Sequence, residues 1–571
     1  MIPPKIRLIT LLSSFLACSF CCGTAPAVQQ QPRLVLQITI DGLRGDMPLR
    51  FMDALPPGGF RYFYENGIWF TNAYYQHSNT ETIVGHATLA TGAQPAEHGM
   101  IGNIWLDRES GQLHYNIEDA EYSVVGDKSF IDKKTEIDPT QRAARSEGRS
   151  ARAIPCSTFS DELLLATAGQ AKVFAVSVKD RGAVPLAGHG GKAFWFNKKS
   201  GEFISSTYYY DAYPGWVKSW NNEYKADKLL NTSWELSQPQ ARYMQADADD
   251  RSFEIDIKGF GRTFPHNYGD DRKYFYTFLT LSPVGDELTL DFVQTLIEQE
   301  QIGRDQVCDY LAVSFSSTDY VSHIFGPASL ESEDNLYRLD RTLATLITEV
   351  DKVIGLDKTL IVLSADHGNP EAPEVMAQLG MQTRRMSPER VSTDEIMAGL
   401  QQKFGLGKEL IELYYHPYIY LNHQVIADKG LDRQEVEFTI AEEMTKIPGI
   451  AAALSSSALQ RQRFINSRFD QLVRNNFYQG RSGDIYIIQQ PYHHLVSEET
   501  TPLAAMHGSP YNYDLFVPVV FAGNGIKAKT VSRLIHPVDI ARTLANCLHI
   551  KPPSSADGSV LKEVCEENIS D

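Results

Sequence analysis

The run Leu34-Val35-Leu36-Gln37-Ile38-Thr39-Ile40 is almost continuously apolar and ends at once on Asp41-Gly42, a carboxylate and a turn residue. A strand with one wet face alternates apolar and polar positions, whereas a strand of a parallel sheet, covered on both faces, reads as an unbroken apolar segment. The pattern recurs at Val173–Val178 before Lys179-Asp180-Arg181-Gly182, at Leu311–Phe315 before Ser316-Ser317-Thr318-Asp319, and at Leu360–Leu363 before Asp366-His367-Gly368. Leu336, Leu339, Leu343, Leu346, Ile347 and Val350, spaced by threes and fours, predict an amphipathic helix that delivers the chain to the last of these strands. Strands alternating with helices predict an α/β fold, with a central, mostly parallel sheet flanked by helices. Polar residues then gather at the carboxyl ends of the strands, where open α/β sheets bind ligands.

A chain of 571 residues exceeds the usual size of one domain, about 150 residues, but long insertions in a single α/β domain absorb the difference. Three stretches break the rhythm of strand and helix: about 104–160, polar and charged; 190–285, crowded with Trp, Tyr, Asn and Asp; and 370–500, with a mixed pattern. They read as insertions forming a cap around the strand ends of a domain that covers residues 28–571, and their aromatic content argues against disorder.

Residues 1–27 have a basic start at Lys5 and Arg7, an apolar run from Ile9 to about Cys22, and the cleavage signal Ala25-Pro26-Ala27. This is the pattern of a signal peptide. The run is shorter than the roughly 20 residues that span a bilayer, and no second run of that length follows. The mature chain is therefore expected to be exported, periplasmic or secreted, without a transmembrane segment. Phe15-Leu16-Ala17-Cys18 is an imperfect lipobox, which keeps a lipid anchor as the alternative. Beyond the leader, Cys156, Cys308, Cys547 and Cys565 permit one or two disulfides in an oxidising compartment. Only Cys547 and Cys565 are close in sequence, and the pairing stays open. With 71 acidic and 53 basic residues the net charge is -18, so the electrostatic footprint of a nucleic-acid binder is missing. An anionic substrate must meet locally placed cations.

Asp41, Asp319, His323, Asp366, His367 and His507 are the candidate ligands. Singly, each has an ordinary explanation: an Asp that closes a strand forms turns, and Asp319 with His323, four apart on one helical face, makes an ion pair. As a set they offer oxygen and imidazole ligands in the mixture zinc accepts, without the thiolates of structural sites. A catalytic zinc takes about three protein ligands, so the set suits two ions. Two ions about 4 Å apart hold the attacking and leaving oxygens of a phosphoryl displacement.

The order Asp41, Thr82-Ile83-Val84-Gly85-His86, Asn103, Lys179-Asp180-Arg181, Asp319-x-x-x-His323, Asp366-His367-Gly368 and His507 resembles the alkaline phosphatase superfamily. It is most similar to the periplasmic bacterial alkaline phosphatases that use threonine in place of serine. The resemblance implies that Asp319, His323 and His507 hold one zinc, and that Asp41, Asp366 and His367 hold the other, which Thr82 also approaches. It implies that Asn103 binds a phosphoryl oxygen and that Lys179 and Arg181 are the paired cations of the monoesterase branch. Thr82 would be the nucleophile, forming a phosphothreonine, because metal coordination turns a weakly nucleophilic hydroxyl into an alkoxide.

Lys179 and Arg181 stand two apart, so on an extended segment both face one phosphate. A monoester carries nearly two charges and gains more from such a pair than a diester does. Relatives that cleave diesters or nucleotide pyrophosphates typically lack the Lys-Asp-Arg feature, and the sulfatase Cys-x-Pro-x-Arg is not present around Thr82. The expected function is hydrolysis of small phosphate monoesters by a monomeric enzyme with two Zn2+ per chain. The alternatives are a phosphodiesterase or nucleotide pyrophosphatase of the same superfamily, and a non-catalytic phosphate binder. His86 is read as structural, Ser78 and Thr80 as loop or capping residues, and Thr82 as a helix cap besides its chemistry.

Overall fold

The computed structural model describes residues 31–565 apart from 127–128, 130, 248, 388–393, 462–466 and 496–502. The leader and Cys18 lie outside the described residues. The central sheet comprises β1 (Leu34–Ile40), β2 (Ile68–Phe70), β3 (Val173–Ser177), β4 (Lys192–Phe196), β5 (Phe203–Ile204), β6 (Asp309–Phe315), β7 (Thr359–Ser364), β8 (Val519–Gly523) and β9 (Lys529–Val531). Their order across the sheet is β9-β2-β8-β7-β1-β6-β3-β4-β5. The neighbours β7, β1, β6, β3 and β4 pair in parallel. Antiparallel pairing enters at β7 with β8, β8 with β2, and β4 with β5. The fold is α/β with a mostly parallel sheet, as the apolar runs predict.

Every residue of β1, β3, β6 and β7 is buried, because helices cover both faces. On one face Leu34, Leu36, Ile38 and Ile40 pack with Leu336, Leu339, Leu343 and Leu346 of the helix Leu330–Val353. On the other, Val35 joins Ile83, Val84 and Ala87 of α1 (Thr82–Thr91). Each such side chain contributes roughly 1.5–3 kcal/mol by leaving water. Gln37, polar within β1, accepts at its Oε1 from the Tyr310 hydroxyl at 2.9 Å, while its Nε2 is buried without a hydrogen-bond partner.

The stretch expected to lie outside the rhythm from 190 onward begins inside the sheet. Lys192–Phe196 is the parallel neighbour of β3, since Ala193-Phe194-Trp195-Phe196 is itself a short, fully buried apolar run. Further along, Ile411–Tyr415, Tyr418–Leu421, Ile485–Gln489 and Ile450–Ser455 form a separate four-stranded antiparallel sheet in that order. It has its own core against the helix Arg433–Thr445. Among the described residues no helix is long and apolar enough to cross a membrane.

Cys547 and Cys565 form a disulfide that joins the helix Val538–Cys547 to the last described turn, and Cys156 and Cys308 are free and buried. The cross-link closes a loop with a sequence separation of 18. Loop-closure entropy at that length corresponds to about 3 kcal/mol. Cys547→Ser is therefore expected to lower Tm by several degrees in calorimetry under non-reducing conditions, an effect that reduction of the wild type should reproduce.

Candidate active site

The site lies at the carboxyl ends of four adjacent parallel strands. Asp41 follows β1, Asp366 follows β7, and Lys179 follows β3. Asp319 and His323 sit on α2, the helix Ser317–Phe325, which starts just past β6. Parallel strands bring residues far apart in sequence to one edge.

Two glycines permit the close approach. Gly42 has φ +74°, and a side chain there would lie 3.1 Å from Asp319 Cβ. Its amide instead donates to Asp366 Oδ1 at 3.0 Å, as does the His367 amide. At Gly85, on α1, a Cβ would fall 2.0 Å from the Asp366 carbonyl oxygen. The helix that begins with Thr82 therefore rests directly on the Asp366 backbone.

Three imidazoles are oriented in one way. His323 Nδ1 faces the Ala505 carbonyl at 2.8 Å, His367 Nδ1 the Gly368 carbonyl at 2.8 Å, and His507 Nδ1 the Thr80 carbonyl at 2.6 Å. A carbonyl only accepts, so each Nδ1 carries a proton and Nε2 is the ring nitrogen turned toward the cluster, the atom that is free to ligate a metal when the ring is neutral. The rings of His367 and His507 stack at 3.7 Å. His507 Nε2 lies 3.4 Å from Asp319 Oδ1, His323 Nε2 3.3 Å from Asp319 Oδ2, and His367 Nε2 3.5 Å from both Asp41 Oδ1 and Asp366 Oδ2. The six residues expected from sequence are thus one cluster. Its two tightest groups are Asp319, His367 and His507, and Asp41, Asp366 and His367, each with ligand atoms within 4.8 Å of one another. His367 belongs to both, and His323 attaches through Asp319.

Asp41 Oδ1, Asp319 Oδ1, Asp366 Oδ2 and His367 Nε2 are buried without a hydrogen-bond partner. Such orphaned groups are costly unless something compensates them, and buried carboxylate oxygens facing imidazole nitrogens are what a divalent cation requires. Burial and the neighbouring Asp366 charge push the Asp41 carboxyl well above its usual range. Burial would also raise Asp366, but His367 and His86 hold it below that range. His86, read as structural, has Nδ1 2.8 Å from the Thr82 carbonyl and 3.2 Å from Asp366 Oδ2, and Nε2 2.8 Å from Ser314 Oγ, so it ties the start of α1 to β6 beside the Asp366 carboxylate.

Thr82 is the first residue of α1, and the cap position belongs to Glu81. That corrects the expectation that Thr82 caps the helix. The Glu81 side chain does not cap either: it accepts the backbone N–H of Asn103, whose own Oδ1 accepts from the Ile83 amide at 3.2 Å. Asn103 is thereby held against the positive end of α1. Burial pushes the Glu81 carboxyl up to about 7. Thr80 also has a task, since its hydroxyl donates to the Ser509 carbonyl at 3.2 Å and accepts from the Gly508 amide at 3.2 Å. It ties the His507 loop to the segment before Thr82.

The two cations do not lie on an extended segment, because the chain enters the helix Asp180–Ala187 directly after Lys179. Lys179 turns inward, with Nζ 2.7 Å from Asp41 Oδ2 and 2.5 Å from Asp319 Oδ2, and is fully buried. Burial would lower its pKa, but Asp319 and Asp41 raise it above the usual value, so it is charged. Arg181 Nη1 pairs with Asp138 Oδ2 at 2.8 Å while its Nε is buried without a partner. Asp180 accepts from Arg149 Nε and from the Tyr115 hydroxyl, both at 2.6 Å. Glu81 and Asp138 were not singled out from sequence. The adjacency of Glu81 to Thr82 is a signal for it in the sequence, whereas Asp138 sits in an irregular polar stretch with no periodic signal.

Over residues 35–510 the chain matches the family described as type I phosphodiesterase / nucleotide pyrophosphatase. The chain belongs to the alkaline phosphatase superfamily. Among relatives of this superfamily, a protein named calcium-transporting ATPase from Myroides odoratus is 32% identical, covering 94% of this chain and 95% of its own length. Alkaline phosphatase PafA from Elizabethkingia meningoseptica is 33% identical, covering 94% of each. The wild-type PafA crystal structure superimposes with a TM-score of 0.84 at 32% identity, over 94% of this chain and 99% of that one. A solved PafA variant is substituted at a threonine, an asparagine, a lysine and an arginine, the residue types found here at Thr82, Asn103, Lys179 and Arg181. The chain is thus a phosphoesterase of the superfamily, and its relatives imply dependence on metal.

A cation at this cluster requires Asp41 ionised, although burial and Asp366 favour its protonated form. Metal loading is therefore expected to release protons, and affinity for a divalent cation should rise with pH as competition from the proton fades. Titration calorimetry in two buffers of different ionisation enthalpy measures this; identical apparent enthalpies would contradict it.

Proposed function

We propose that this phosphoesterase is a phosphomonoesterase that uses Thr82 as its nucleophile. The observation that carries the proposal is Lys179, a buried ammonium in contact with Asp41 from one ligand group and Asp319 from the other. With Arg181 two residues on, it adds positive charge beside a cluster that already suits divalent ions, and a monoester brings the charge that needs it.

Asp319, His323 and His507 would hold one zinc and Asp41, Asp366 and His367 the second, with the Thr82 oxygen directed to the second. When bound, the two ions supply Lewis-acid charge and favour the ionised form of a hydroxyl at the site. The chain's own residues do the rest. Thr82 attacks phosphorus from the amino end of α1, the bond to the ester oxygen breaks, and water then cleaves the phosphothreonine. Asn103, held by Glu81 and the Ile83 amide, presents its side-chain N–H to a phosphoryl oxygen. Lys179 and Arg181 neutralise the remaining oxygens. The leader directs export to the periplasm or medium, and the enzyme acts as a monomer on small phosphorylated substrates.

A second reading, phosphodiester or nucleotide pyrophosphate cleavage, is favoured by the description of the matching family. Comparing an aryl phosphomonoester with its methyl diester separates the two. The expected result is faster turnover of the monoester. Lys179→Ala and Arg181→Ala should each lower its kcat/KM by about 100-fold while lowering that of the diester far less. A faster diester, with the monoester indifferent to both substitutions, would sink the proposal. Thr82→Ala should abolish turnover and the acid-stable phosphoryl label on the protein while leaving zinc content high. Unchanged turnover in Thr82→Ala would point instead to another nucleophile.

A further inference from the structure

We propose that Tyr320 is a positioning residue that sets the preference for monoesters by holding Lys179 against its aromatic face. The inference rests on the monoesterase reading above. Lys179 Nζ lies 4.6 Å from the centre of the Tyr320 ring, within the range of a cation–π contact. Both residues are buried, the ring being 6% exposed and Lys179 0%, so little solvent competes.

A lysine carries its charge on a flexible stem, and something must restrict it if the ammonium is to meet a phosphoryl oxygen in one place. The carboxylates that contact Lys179, Asp41 and Asp319, are the groups assigned to ions. The ring is the contact that metal ligation does not claim. Its electron-rich face attracts an ammonium without neutralising it, which a carboxylate would do.

Tyr320 also stands at the junction of the other charged residues. Lys198 Nζ lies 5.8 Å from the same ring and is paired with Glu136 at 2.5 Å. Glu136 in turn accepts from the Asp138 amide at 2.9 Å, and Asp138 holds Arg181. Because Tyr320 follows Asp319 on α2, its ring is fixed by the helix that carries two metal-ligand candidates.

The test uses the zinc-loaded enzyme with the aryl phosphomonoester and its methyl diester, and measures zinc content for each variant. Tyr320→Leu is expected to lower the ratio of monoester to diester kcat/KM about tenfold at full zinc occupancy. Tyr320→Phe, which keeps the face, should recover most of that loss. Phenylalanines with one, two or three ring fluorines at this position should lower the ratio stepwise, since fluorine withdraws charge from the face at nearly constant shape. In a Lys179→Ala background, Tyr320→Leu should produce no further drop. If Tyr320→Leu does not fold, the fluorinated series decides. Equal losses on both esters, no trend with fluorination, or an undiminished effect without Lys179 would each overturn the inference. An unchanged ratio in Lys179→Ala itself would overturn the monoesterase reading as well, which separates that failure from failure of Tyr320 alone.

Discussion

The site is governed by the cost of placing like charges together away from water. Asp41, Asp319 and Asp366 converge at the ends of β1, β6 and β7, all essentially inaccessible to solvent. Isolated buried carboxylates would ionise reluctantly or push the strands apart. The surroundings answer with Lys179 between two of them, three imidazoles with Nε2 turned inward, and amides of Gly42 and His367 on Asp366. The parallel sheet makes this convergence possible, and the cations and imidazoles beside it offset part of the charge it gathers. The same convergence that the sheet imposes is what offers a divalent cation its ligands.

Much of this was legible before any coordinate. Leu34–Ile40, Leu311–Phe315 and Leu360–Leu363 are strands because their apolar runs have no wet face, and the carboxylates that follow them form one buried cluster with the histidines. Asp319 and His323 share a helical face as their spacing predicts. What escaped the sequence has physical reasons. Lys192–Phe196 is a strand hidden at the head of an aromatic stretch whose composition suggested a surface wall. The expected side-by-side presentation of Lys179 and Arg181 assumed an extended segment, but the strand ends before them and a helix begins between them. No local pattern announces Asp138, because its role depends on reaching Arg181 across 43 residues of chain.

The supporting contacts follow a common rule. Glu81 holds Asn103 by its backbone, Thr80 and the Thr80 carbonyl hold the His507 loop, and His86 ties the start of α1 to β6 beside Asp366. None of these residues needs to touch substrate. All three lie within Thr80–His86, so the short segment around Thr82 anchors Asn103, the His507 loop and the surroundings of Asp366, which come from distant parts of the chain. The hydroxyls of this segment are therefore not interchangeable: that of Thr80 holds a loop, whereas Thr82 opens α1.

The contact at Gly85 has a mechanical meaning. Main chain meets main chain where α1 crosses the Asp366 turn, with no side chain between them. The separation of Thr82 from the Asp366 group is consequently set by atomic radii, which no rotamer change can alter. A side chain interposed there would have acted as a soft spacer, varying with each repacking of the core.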